Sequence, residues 1–87
     1  MTDLPLRPSL TLVTNPAERD RFLEWARTTS GPVGIDTETA GLEWWRLPLR
    51  LVTLGDASFG WALLPRTDHS LIADAIRLLV ERGIRFV

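Results

Sequence analysis

The 87 residues predict an α/β fold built on a mixed sheet. Three observations lead there. Short β-rich runs separated by turn residues occupy positions 33 to 64, an amphipathic stretch follows from Ser70 to Arg82, and a fresh apolar run of Ile84, Phe86 and Val87 comes after it. Runs joined by tight turns pair antiparallel, whereas a run reached through a helix usually returns to the same sheet as a parallel neighbour. The expected core is therefore an antiparallel meander, a crossover helix and a returning strand.

Residues 1 to 9 carry Pro5 and Pro8 and read as an irregular lead-in, after which Leu10 to Thr14 alternate like a short strand. Asn15-Pro16-Ala17-Glu18 is a helix start. Asn15 can cap, Pro16 suits the first helical position, and Glu18 can reach back to the backbone of the cap. Phe22, Trp25 and Ala26 follow at helical spacing, and Thr29-Ser30-Gly31-Pro32 ends the helix. This strand and helix are expected at the margin of the sheet.

Val33 to Glu38 is the next strand, apolar at first and acidic at its end, followed by a loop containing Gly41 and Pro48. Arg50 to Gly55 and Phe59 to Leu64 form a hairpin across Asp56-Ala57-Ser58, and Pro65 is expected to close it. From Ser70 the pairs Leu71/Ile72, Ala75/Ile76 and Leu79/Val80 make one buried stripe, and Gly83 supplies a left-handed cap.

Composition narrows the function classes. A chain this short holds at most one domain, and 45% hydrophobic residues with four Trp exclude a disordered tail. All ten basic residues are Arg, a bias that codon usage explains before design does. A net charge of −1 gives no broad cationic field, so any polyanion must be held by local groups or bound cations. Without Cys there is neither a disulfide framework nor a zinc-thiolate site. The first residues lack the pattern of a signal peptide, and no apolar run approaches the roughly 18 residues of a membrane span. The expectation is a soluble, cytoplasmic protein with no membrane partner.

Chemistry concentrates at the acidic strand end. Residues i and i+2 of a strand share a face, which places Asp36 and Glu38 side by side with Cα atoms about 6.6 Å apart. Such neighbours repel unless a cation or hydrogen-bond donors compensate them. Hard ions such as Mg²⁺ or Mn²⁺ accept one or two carboxylates and complete their shell with water and phosphate. The spacing alone leaves a second reading open, in which both are ordinary acids where a strand meets a turn.

The surroundings run Val33-Gly34-Ile35-Asp36-Thr37-Glu38-Thr39-Ala40-Gly41-Leu42, then a loop, then Arg50-Leu51-Val52-Thr53-Leu54-Gly55. This stretch resembles the 3′-to-5′ exonucleases of the DEDD superfamily, which have a ribonuclease H-like fold. It is most similar to the proofreading domain of polymerase I type (family A) DNA polymerases, with ribonuclease D as a cousin. The likeness spans Leu10 to Val87, with the sharp matches confined to about ten residues.

The resemblance implies that Asp36 bridges two divalent cations, Mg²⁺ or Mn²⁺, and that Glu38 holds one of them. In that mechanism one ion activates water and the other stabilises the leaving 3′ oxygen, about 4 Å away. Thr39 matches a residue that contacts the terminal nucleotide, Gly41 falls in the same substrate-binding stretch, and Leu42 matches a leucine wedged between the last two bases. The implied partner is a single-stranded or frayed 3′ end, DNA favoured.

The family's second and third motifs have no counterpart in these residues, and there is no Tyr. Residues 10–87 are therefore expected to be the N-terminal part of such a domain, truncated before those motifs, with at most weak metal binding and a need for a C-terminal continuation or a complementary chain. Two other functions stay open: a non-catalytic or vestigial nucleic-acid-binding module, and a ribonuclease D-like enzyme acting on RNA.

Trp44 and Trp45 could stack on unpaired bases or cover a hydrophobic floor, whereas Trp25 and Trp61 belong to the core. Arg46 and Arg50 are read as solvated surface with phosphate contact as the alternative, and His69 as a helix-start residue. The 87 residues alone are expected to show no exonuclease activity. A gel assay on labelled single-stranded DNA with Mn²⁺ checks this, and metal-dependent trimming that vanishes in Asp36→Ala would overturn it.

Overall fold

The computed structural model describes residues 9–39 and 49–87, with Thr39, Leu49 and Arg50 as backbone only. The elements are β1 (Ser9–Leu12), α1 (Pro16–Thr28), β2 (Gly34–Thr39), β3 (Leu49–Gly55), β4 (Phe59–Leu63) and α2 (Pro65–Glu81). The sheet runs β1-β4-β3-β2. β2, β3 and β4 form the antiparallel meander, and β1 joins as an edge strand parallel to β4. The chain then returns beside the start of β2. Val33 and Phe86 form a parallel bridge, with Val33 N donating to Arg85 O at 2.8 Å and Val87 N donating to Val33 O at 3.0 Å. No helix among the described residues is long and apolar enough to cross a membrane.

Both helix starts follow from proline. At α1, Asn15 Oδ1 accepts from Glu18 N at 2.9 Å, satisfying one of the amides that a helix start leaves unpaired. Glu18 reaches one residue further back than expected. Its Oε1 accepts from Thr14 N at 2.8 Å and Thr14 Oγ1 at 2.9 Å, instead of meeting Asn15. The Thr14 amide, and then its hydroxyl, hold the Glu18 carboxyl below the usual carboxylate range.

At α2 the structure corrects the expected boundary. Pro65 does not close the preceding strand but opens the helix, where its missing N–H and fixed φ cost nothing. The first turn, Pro65 to Thr67, precedes the apolar stripe, and Asp68 (φ −115°, ψ 19°) kinks the helix just before the stripe begins. A reading based on hydrophobic spacing therefore starts the helix too late.

The two helix ends are closed differently, α2 by a local glycine cap and α1 with help from a distant side chain. Gly83 adopts φ 74°, and Gly83 N donates to Val80 O while Ile84 N donates to Leu79 O, the two bonds of a left-handed glycine cap. The Arg82 guanidinium reaches across to α1, donating from Nη1 to Ala26 O at 2.7 Å and from Nη2 to Thr29 O at 2.8 Å. Gly31, at φ 71°, makes the turn from α1 to β2. A Cβ there would sit 2.8 Å from Ile84 Cγ2, so the returning segment packs against bare backbone.

One core lies between the helices and one face of the sheet. It joins Phe22, Trp25 and Ala26 of α1 and Ala75 and Leu79 of α2 to Val52, Leu54, Trp61 and Leu63 of the strands. Trp25 and Trp61 are each 6% exposed, as the sequence predicts, and the Phe22 and Trp61 rings meet edge to face at 5.8 Å. The opposite face carries Leu10 at 69% exposure and Leu12 at 47%, with no described helix over it.

Asp56 ties the hairpin to this core. Its Oδ1 accepts from Ser58 N and Phe59 N, each at 2.8 Å, and closes the β3–β4 turn. Oδ2 accepts from Trp25 Nε1 at 2.8 Å and Thr29 Oγ1 at 2.6 Å, both from the end of α1. Burial works to raise the Asp56 pKa, but the donors, Thr29 foremost, outweigh it and leave the carboxyl below its ordinary value.

A depressed carboxylate stabilises the fold above the pKa of the unfolded chain and loses that contribution as pH falls through the lower folded value. Asp56→Ala is expected to cost about 2 kcal/mol at neutral pH, the range of hydrogen bonds to a charged group. The gap to wild type should shrink below about pH 4. Urea denaturation of both proteins between pH 7 and pH 3 checks this, and a gap that stays constant over that range would refute it.

Candidate metal-binding carboxylates

β2 follows a fully buried residue, Val33, and runs outward to exposed acids. Its apolar start is held on both sides, by β3 through the Gly34↔Gly55 pair and by the returning segment at Val33. The acidic end is thus presented by a strand anchored at its root. Asp36 lies opposite Thr53 and Glu38 opposite Leu51. Val52 and Leu54, the intervening residues of β3, are buried against the helices, so alternation places Asp36, Glu38, Leu51 and Thr53 together on the other face. The pairing shifts register just after Glu38.

Asp36 borders a shallow trough of about 600 Å³ on this face. Gly34, Gly55, Gly60 and Thr53 line it, together with Leu10 and Val87. Three residues without side chains leave the sheet surface low beside the carboxylate. Glu38 lies further along β2, outside the trough lining.

Among the described residues, ion pairing involves other acids. Arg19 pairs with Asp68 at 3.4 Å, Arg27 with Glu24 at 3.6 Å and Arg77 with Asp74 at 3.2 Å. No group of three or more His, Cys, Asp or Glu side chains gathers there in a way that could hold a metal ion. What the face offers is a pair of exposed oxygen donors. That donor set suits a hard divalent cation that keeps most of its water, and it lacks the nitrogen and sulfur ligands that zinc favours.

The remaining sequence-derived candidates distribute unevenly. Thr39 is the last residue of β2, opposite Leu49 and past the register shift. Gly41 and Leu42 lie outside the described residues, as do Trp44, Trp45 and Arg46. Arg50 falls in β3. His69 is exposed on α2 immediately after the kink, and α2 packs on the face opposite the carboxylates.

Sequence reasoning did not single out Thr53 or the Gly55/Gly60 pair. A signal for both was present. Counting outward from a turn tip at Ala57 and Ser58 brings Gly55 opposite Gly60, and the β2–β3 register places Thr53 beside Asp36. No protein-family model matches the chain, and no curated protein matches it.

Titration with Mn²⁺ is expected to show a single weak site, with a Kd on the order of a millimolar for so few protein ligands. In ¹H–¹⁵N NMR spectra the ion should broaden the amides of Asp36 to Glu38 and of Leu51 to Thr53 first. The double substitution Asp36→Asn with Glu38→Gln should remove that selectivity. Broadening that is uniform, or that survives the double substitution, would exclude the pair as the site.

Proposed function

We propose that this chain carries the first metal-binding motif of a DEDD-type 3′-to-5′ exonuclease domain on a ribonuclease H-like fold. Such a domain hydrolyses phosphodiester bonds at nucleic acid 3′ ends. The observation that carries the reading is the shared face of Asp36 and Glu38, both exposed, opposite Thr53 and Leu51 on the side of the sheet away from the helices. The antiparallel meander and the parallel return beside β2 support the same reading.

Asp36 and Glu38 would hold the divalent cation. Bound there, it would supply Lewis-acid activation and neutralise phosphate charge. The chain's own contribution is placement and sign. Two adjacent carboxylates repel a phosphate, and with a net charge of −1 the chain has no general attraction for a polyanion to offset that. The resulting site discriminates against nucleic acid until the carboxylates are compensated. Thr39, Gly41 and Leu42 follow directly in the sequence and are the proposed contacts to the terminal nucleotide.

Nothing in a carboxylate pair distinguishes deoxyribose from ribose. DNA is favoured on the likeness to proofreading domains, with a ribonuclease D-like RNA substrate as the alternative. A second reading is a module completed by another segment or chain, and the exposed apolar side chains of Leu10, Leu12 and Val87 favour it.

A chimera decides between these readings. Residues 10–87 would replace the corresponding first half of an active proofreading exonuclease domain, and trimming of a single-stranded 3′ end would be measured with Mg²⁺ or Mn²⁺. The expected result is metal-dependent trimming that falls on the order of a thousandfold in Asp36→Ala or Glu38→Ala, corresponding to the loss of several kcal/mol of transition-state stabilisation. A folded chimera whose activity ignores both substitutions would sink the assignment.

A further inference from the structure

We draw no further inference here: the strongest candidate, the aromatic cleft between α1 and the β1–β4 edge of the sheet, carries nothing because its Trp25 and Trp61 walls are packed into the core and nothing in the structure shows what covers the half-exposed Phe59.

Discussion

Four donors converge on the carboxylate of Asp56, two from the hairpin turn and two from the end of α1. Through the first two, the turn closes with Gly55 opposite Gly60, which sets which residues of β3 and β4 face each other. Through the others, α1 is held over the face that carries Leu54 and Trp61. A strand slipped by one residue exchanges its two faces, so helix placement and strand register must agree. Asp56 makes them agree. The opposite face is left for the residues of β2 that alternate outward, among them the two acids.

The proposed site is therefore a by-product of how the core is filled. Val33, just before β2, enters the interior, and β2 sends Asp36 and Glu38 outward. A flat stretch of glycine backbone lies beside the first acid, where bulkier side chains would crowd a ligand. The charge is also economical in its effect. A weakly acidic chain with a concentrated negative spot has little general affinity for nucleic acid, so occupancy by a cation would control contact as well as chemistry.

Local patterns in the sequence carried most of the architecture. The Asn15-Pro16 start, the Gly83 cap and the β3–β4 hairpin each express rules that act over a few residues, and each is found, whereas the expected stripe on α2 buries Ala75 and Leu79 but leaves Val80 60% exposed. The shared face of Asp36 and Glu38 was equally legible, because strand periodicity requires it. Contacts between distant parts were not. Nothing near Asp56 in sequence announces that Trp25 and Thr29 will donate to it, and nothing near Arg82 points to the carbonyls of α1. The start of α2 was misplaced for a different reason. Its first turn is outside the hydrophobic stripe, so periodicity was blind to it while Pro65 could be read either as a stop or as a start.

The Arg82 contact has a further consequence. One guanidinium closes the end of a helix 56 residues earlier in the chain, while its own backbone belongs to the cap of α2. Fraying at either helix end removes partners from the other, so the two ends open cooperatively instead of independently. Local breathing on this side of the molecule is thereby converted into a single, costlier event. The root of β2, which follows directly from α1, inherits that stiffness.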